Sequence, residues 1–425
     1  MIRGRSAARA AQAGLLAVLI GGSGGSRPVW SQGVSQISLA EALRRAAELN
    51  PEVRIAEVDA VAAQRLARAA RLWAYNPEFD VGLGRLGTAD TSRASYEFGI
   101  AQRFELGGKR GSRIAAADRR LVAAQSRRAR RRDEVAAQVT RAFLLAQVAR
   151  LRLETAREAE QVAAQLKTAA DERLRLGAGT QLEVNVAAAA ASRERRARLL
   201  SEQHYASSVI ELAASIGLPG AERPEPARDL ALPSPENRPE ADLVALALDR
   251  RPDLRASIAE REASAAALRG ARALRWPDPA LLATTGREES RLLRFSLSFS
   301  LPVLNRAQTE RAEAAGFLDR AVIAEDAQRR QVEREVRDAF QAYQRAREAY
   351  DAFDREVVER MSENLRLAEE SFRAGKIGLL IFSTVRRDLV EARLSYLEAI
   401  AELVDWRTAL ALAVGEPLAP ETERR

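Results

Sequence analysis

The sequence predicts a mainly helical fold with a small β part, made from one unit repeated twice. Each unit reads helix, β-hairpin, very long helix, glycine turn, return helix. Three observations predict it. Five landmarks recur in the same order about 200 residues apart, which marks an internal duplication. Two stretches of roughly 70 residues, 110–176 and 305–374, lack proline and nearly lack glycine, so nothing in them stops a helix. Four short segments between the helices change their apolar spacing from the helical period to two.

Taken in order, residues 1–31 form a leader. Arg3, Arg5 and Arg9 precede a short apolar run, 14–20, then a Gly/Ser stretch and a processing site near Val29-Trp30-Ser31. That is the pattern of a secretory signal peptide, its apolar run being too short to span a bilayer. The first unit occupies 32–221 and the second 240–418, with a tail at 419–425. The opening helices are punctuated at Asn50-Pro51 and Arg251-Pro252, then run to Tyr75-Asn76-Pro77 and Pro277-Asp278-Pro279. Proline is tolerated at a first helical position and excluded from helix interiors, so these pairs mark boundaries.

Hairpins are expected at about 78–106 and 279–303. Residues 95–106 carry apolar side chains at even positions save Gln102, and Phe295-Ser296-Leu297-Ser298-Phe299-Ser300-Leu301 alternates throughout. The partner segment at 79–84 alternates fairly well; the one at 280–285 does so poorly. The long helices carry apolar seams at threes and fours. These are Val135, Val139, Ala142, Ala146, Ala149 and Leu153 in one, and Val332, Val336, Ala339, Tyr343, Ala346, Tyr350, Phe353 and onward to Phe372 in the other. Small seam residues allow close axes, and a second stripe at Phe143, Leu144 and Leu151 lets a helix meet two neighbours, as in a closed tube of helices. A plain antiparallel coiled coil satisfies the same stripes. The tips are expected at about 175–181 and 373–379. Residues 222–239, rich in proline, link the units on the outside of the helical body.

Composition excludes several functions. The net charge is +8, with three lysines against a great excess of arginine. Acids and bases interleave along the helices, however, as in Glu333-Arg334-Glu335, and no basic patch with stacking aromatics occurs; no nucleic-acid partner is expected. With no cysteine there is no disulfide, no thiolate metal site and no cysteine to carry a lipid anchor. No catalytic site, resident metal or cofactor is expected: neither a Gly-x-Ser-x-Gly turn nor a phosphate loop nor a His/Cys cluster is present, and the one histidine, His204, is expected at a surface or seam.

Ten-residue alternation fits either a half-buried sheet in a soluble domain or barrel strands facing lipid. Four strands supply too little sheet to cover such long helices, and the leader routes the chain out of the cytoplasm, so lipid is the better setting. Sheet edges cannot stay open in hydrocarbon, because each unpaired backbone group costs several kcal/mol there. Four strands cannot close alone. Two chains would give an eight-stranded barrel filled by its own side chains, whereas three would give twelve strands and a lumen. A conducting pore therefore favours a homotrimer.

At this point the chain resembles the TolC-like outer-membrane efflux proteins over about 37–418. The carriers are the repeat, the helix punctuation at Asn50-Pro51 and Arg251-Pro252, the strand-to-helix joints and the glycine turns. The resemblance implies a trimeric α-helical barrel in the periplasm, continuous with a twelve-stranded β-barrel in outer-membrane lipid, four strands per chain. It implies a passive exit duct served by a periplasmic adaptor (a membrane fusion protein) and an inner-membrane pump of the resistance-nodulation-division type. The joint Phe104-Glu105-Leu106-Gly107-Gly108-Lys109-Arg110 is similar to the branch serving heavy-metal exporters of the cobalt–zinc–cadmium type. By the same resemblance the adaptor docks at two tips, Leu176-Gly177-Ala178-Gly179-Thr180 and Ala374-Gly375-Lys376-Ile377-Gly378, the second departing from the pattern with glycine in place of the hydroxyl residue. Helix capping alone also explains both glycine turns. Glu183, with Ile381 and Thr384 at the matching place in the second unit, is expected to line the aperture; an acidic ring there would attract cations, but only one unit supplies the acid. The competing functions are a periplasmic structural coiled coil or adaptor-like protein, and the outer-membrane duct of a protein secretion system. An adaptor should show one helical hairpin flanked by long Gly/Val-rich β segments, and this chain shows two helical arms.

Overall fold

The computed structural model describes residues 36–88, 91–220, 222–287, 291–353, 355–416 and 418; the expected leader at 1–31 and tail at 419–425 lie outside them. In chain order the first half runs β1 (Gln36–Ile37), α1 (Leu39–Leu49), α2 (Pro51–Ala69), β2 (Glu78–Thr88), β3 (Thr91–Arg103), α3 (Lys109–Arg175) and α4 (Gln181–Ile216). After β4 (Glu225–Pro226) the order recurs as α5 (Glu240–Arg250), α6 (Pro252–Ala273), β5 (Ala280–Arg287), β6 (Arg291–Ser298), α7 (Gln308–Asp351), α8 (Arg355–Arg373) and α9 (Leu379–Val414).

Local chemistry sets the boundaries. Ser38 accepts the Glu41 N–H at 3.2 Å and opens α1. Asn50 closes α1 and starts α2, its Oδ1 accepting the Glu52 N–H at 2.9 Å, with Pro51 at a position whose N–H would be unpaired anyway. The Asn50 amide also donates to Ser215 O at 2.8 Å, just before Gly217 ends α4 at φ +85°. A Cβ on Gly217 would lie 2.8 Å from the Asn50 backbone, so both the left-handed turn and the close approach require glycine. The second unit repeats the contact with other chemistry: Arg251 donates to Ala413 O at 3.2 Å beside Gly415, φ +78°.

Helix α3 has 67 residues and at 1.5 Å per residue is about 100 Å long. It packs along α4, α6, α2 and α9. All six expected seam residues from Val135 to Leu153 are buried. Val135, Val139, Ala142 and Ala146 belong to a cluster that takes in Ala46 of α1, Leu212 and Ile216 of α4, and Val404 of α9. A second cluster joins Leu243, Leu254, Val332, Val336, Tyr343 and Leu410. Each such side chain removed from water contributes about 1.5–3 kcal/mol, so packing rather than helix propensity holds these long helices.

Three expectations need correction. The second long helix is not continuous over 305–374: α7 ends at Asp351 and α8 begins at Arg355. No proline or glycine causes the break. The last turn of α7 tightens, with Phe353 N donating to Tyr350 O, and Phe353 turns edge-on to Tyr396 at 5.8 Å while Tyr350 stacks on the same ring. The fourth strand stops at Ser298 rather than running to 303. Its partner β5 begins only at Ala280, after Pro277-Asp278-Pro279, so the alternating residues beyond Ser298 have no strand to pair with. Residues 104–106 likewise leave the first hairpin and enter the joint to α3. Poorly alternating β5, by contrast, is a central strand bonded on both sides.

The proline-rich link is strapped to the helices. Residues Gln36–Ile37 pair in parallel with Glu225–Pro226. Gln147 Nε2 donates to Ala227 O at 2.6 Å and Asp229 O at 2.9 Å, and Arg150 Nη2 donates to Arg228 O at 2.6 Å. Farther on, Glu236 is buried: its N–H donates to Tyr343 Oη at 2.9 Å, and its carboxylate accepts Arg238 Nε at 2.8 Å and Nη2 at 2.7 Å. The Arg238 contacts, aided by Arg407, overcome burial and hold the Glu236 carboxyl down at about 2. A depressed carboxyl stabilises the fold above its unfolded pKa and loses that contribution as pH falls through the folded one. Glu236→Gln is therefore expected to flatten the fall in thermal stability between about pH 4.5 and 2. The contribution is on the order of 2 kcal/mol, because Arg238 is partly solvated. Equal acid slopes in melts of the two proteins would refute this assignment.

Candidate functional site

β2, β3, β5 and β6 form one antiparallel sheet in that order. Register puts Phe79 opposite Ile100, Val81 opposite Phe98, Leu83 opposite Tyr96 and Leu281 opposite Leu297, so large apolar side chains share one face. They are not covered within the chain: Leu83 is 80% exposed and Phe295 77%. The other face carries Glu78, Asp80, Ser95, Glu97, Thr284, Arg294 and Ser296, with glycine at 82, 84, 99 and 286. β2 and β6 are both open edges among the described residues. No helix of the described residues is long and apolar enough to cross a membrane.

The joint beneath the sheet locks the units together. Asp278, from the second, accepts Lys109 Nζ at 2.7 Å, Leu106 N–H at 3.0 Å and Tyr75 Oη–H at 3.0 Å, all from the first. Burial would raise the Asp278 carboxyl, but Lys109, the Leu106 N–H and Tyr75 outweigh it and the pKa falls. Arg113 forks onto Glu105 and also donates to Ala70 O and Leu72 O at the end of the first arm. The sharp turn needs Gly107 (φ +71°), where a Cβ would lie 2.5 Å from the Trp276 ring. Trp73, Tyr75 and Trp276 thus gather where sheet meets helices, with Arg110 over Trp73 and Arg103 over Tyr75. Such amphipathic rings suit a membrane boundary.

At the far ends of the helices the two tips have the same geometry. Gly177 and Gly375 both sit at φ +72°. Ala178 N donates to Arg173 O at 2.9 Å, and Lys376 N to Ser371 O at 2.8 Å, closing each helix with the same two-bond cap. The tips lie together: Ala170, Ala187 and Leu379 are buried in one cluster, and Phe372 stacks on Phe382 at 5.1 Å. Leu176, Gly177, Ala178 and Thr180 are exposed or nearly so, as are Ala374, Gly375, Lys376 and Gly378; Gly179 and Ile377 are half-buried. The missing hydroxyl in the second tip has a visible consequence. Thr180 and Glu183 form a reciprocal capping box on α4, whereas Gly378 gives α9 no side-chain cap. The carboxylate of Glu183 is thereby drawn back onto the Thr180 N–H at 3.4 Å. Ile381 and Thr384 are exposed, Thr384 donating to Leu380 O at 3.0 Å, and neither bonds to Glu183.

Sequence reasoning missed Arg386. It is buried and donates from Nη2 to Ala159 O across the α3–α9 contact, and burial lowers its pKa. The available signal was a charged residue at a seam position, four after buried Phe382. His204 is exposed on α4. Among the described residues no group of three or more His, Cys, Asp or Glu is gathered to hold a metal ion.

A sheet apolar on one face, open at both edges and continued by long helices, one of them about 100 Å, defines one stave of a membrane duct. The model of the outer membrane efflux protein family matches residues 42–218 and 243–416, and the chain belongs to that family. Its place is the outer membrane, with a long periplasmic helical portion, and it serves as the exit duct of an efflux system. The cobalt-zinc-cadmium resistance protein CzcC of Cupriavidus metallidurans is 27% identical over 73% of this chain and 75% of its own. The nickel-cobalt-cadmium resistance protein NccC of Alcaligenes xylosoxydans xylosoxydans is 29% identical over 41% of this chain and 40% of its own. The crystal structure of the CmeC outer membrane channel of Campylobacter jejuni superposes with a TM-score of 0.73 at 15% identity, covering 91% of this chain and 88% of that one.

Proposed function

We propose that three copies of this chain close a twelve-stranded barrel through their β2 and β6 edges, and that the duct so formed exports divalent transition-metal ions. The observation that carries the assembly is the sheet: one predominantly apolar face with both edges unpaired among the described residues, which hydrocarbon tolerates only in a closed barrel. The cargo rests on the metal-resistance relatives named above and on the Phe104–Arg110 joint. The export energy comes from an inner-membrane pump of the resistance-nodulation-division type. A periplasmic adaptor docks on the paired tips, where Leu176, Leu182, Leu380 and Ile381 stay exposed around the glycine turns. Glu183, Ile381 and Thr384 line the aperture; with Glu183 also capping α4, the ring is only weakly acidic.

Deleting the gene is expected to sensitise cells to cobalt, zinc and cadmium at least several-fold and to leave hydrophobic-drug tolerance unchanged. The reverse pattern would overturn the cargo. Recovery of the protein as a monomer from the soluble periplasmic extract would overturn the duct.

A further inference from the structure

We propose that the joint between sheet and helices carries an arginine collar that seats the phosphates of anionic phospholipids, with Arg110 stacked on Trp73 as its anchored member. The inference rests on the duct reading above, since it needs the apolar sheet face to lie in hydrocarbon.

Strand register gives the side on which the collar meets lipid. Ile100, opposite Phe79, lies on the apolar face. Phe104 continues that alternation, its N–H donating to Pro279 O at 2.9 Å. The Trp73 ring meets Phe104 edge-on at 5.9 Å and is 62% exposed. Arg110 in turn lies over Trp73 at 5.9 Å, and its Nη2 donates to Arg71 O at 2.8 Å. One ring and one carbonyl therefore hold this guanidinium where the apolar face ends. Its other N–H groups have no acceptor among the described residues.

Charge sets this level of the molecule apart. Farther along the same helices the arginines meet acids, as in Arg119–Glu262, Arg127–Glu260 and Arg128–Glu57. At the joint that balance is lost. Arg65 and Arg68 near the end of α2, and Arg269, Arg272 and Arg275 at the end of α6, are exposed, and none forms an ion pair among the described residues. The acids nearby are already bonded: Glu105 to Arg113, Asp118 to Arg71 and Asp278 to Lys109. Glu78 stands on the other face of the sheet, and Glu310 falls between Arg306 and Arg311 in sequence. Helix C-termini attract cations, which accounts for Arg71 and Arg113, bonded to Ala67 O and Ala70 O. It leaves the remaining arginines unexplained. At the edge of hydrocarbon the anions in plane are phospholipid phosphates, which attract basic side chains there. A guanidinium takes a phosphate through parallel N–H bonds while its stem lies along apolar surface. Trp73 sets the depth, since indole rings settle at the headgroup level.

The test uses the purified protein with Trp30→Phe, Trp276→Phe and Trp406→Phe, which leaves Trp73 as its one tryptophan. It is reconstituted in phosphatidylethanolamine vesicles containing a minor, equal fraction of either dibrominated phosphatidylglycerol or dibrominated phosphatidylcholine, and Trp73 fluorescence is read. Quenching by the anionic lipid is expected to exceed that by the neutral one at least twofold at low salt, and to fall toward equality in concentrated NaCl. Arg110→Gln should remove at least half of the excess, and Arg110→Lys should keep most of it. The double variant Arg272→Gln, Arg275→Gln breaks no hydrogen bond among the described residues and should lower the excess in a protein that still assembles. Equal quenching by the two lipids, or an excess that the double variant leaves intact, would overturn the collar and leave the duct standing. Quenching by neither lipid would place the joint away from any membrane and overturn the duct reading and the collar with it.

Discussion

Phe295→Arg is expected to abolish assembly in the outer membrane, while Ser296→Arg, one residue farther along the same strand, is expected to preserve it. Side chains alternate across a strand, so adjacent positions face opposite solvents. Phe295 lies opposite Ala283 on the apolar face and is 77% exposed within the chain. Ser296 lies opposite Leu282 on the face that carries Asp80, Glu97 and Arg294. An arginine facing acyl chains costs about 2–4 kcal/mol near the bilayer midplane. In a closed trimer that cost recurs in every copy, which is comparable to the whole stability of an ordinary domain. An arginine on the other face stays in water and costs little. The measurement is the yield of heat-sensitive, detergent-resistant oligomer in outer-membrane fractions. Equal yields from the two variants would mean that the apolar face does not touch lipid, and the barrel proposal would fall.

How much of this was legible depends on what each feature rests on. The seams from Val135 to Leu153 and from Val332 to Ala346 were visible because helix packing repeats at a fixed spacing, and all of these residues are buried. The apolar sheet face was visible for the same reason at period two. The break after Asp351 was not, because it comes from Phe353 meeting Tyr396, a partner more than forty positions away on another helix. Strand β5 alternates poorly because a central strand is held from both sides and needs less help from its own pattern. The end of β6 depends on where its partner starts, which Pro277 and Pro279 decide. At the tips the glycines were evident, but the commitment of Glu183 to the Thr180 cap follows from local backbone geometry. That Asp80, Gly99 and Thr284 fall in one row needs the register of three strands, and single-strand patterns do not contain it.

Arg251→Ala is expected to be the most damaging single substitution in the helical body, costing about 3 kcal/mol, the low end of the range for removing one partner of a buried ion pair, because Asp253 and Glu335 keep part of their water. Arg251 is 1% exposed. Its guanidinium donates to Asp253 at 2.5 Å, Glu335 at 2.6 Å and Ala413 O at 3.2 Å, tying the start of α6 to α7 and to the end of α9. Burial would raise the Asp253 carboxyl, yet Arg251, with help from Arg130, keeps it below its usual range. Removing the guanidinium leaves that carboxylate with the Leu254 N–H, Gln328 Nε2 at 3.0 Å and Arg130 at 3.9 Å. It also orphans the carbonyl beside Gly415. Asn50→Ala, at the equivalent place in the first unit, loses a neutral amide bond and a cap, and is expected to cost only about 1–2 kcal/mol. Arg251→Met separates charge from volume: if the stranded carboxylates cause the loss, it should be nearly as harmful as alanine, and adding Asp253→Asn should restore part of the stability. Thermal melts of the detergent-purified proteins, followed by circular dichroism, give the ranking. An Arg251→Ala protein that melts at or above Asn50→Ala would show that the second unit closes on packing alone, without its buried arginine.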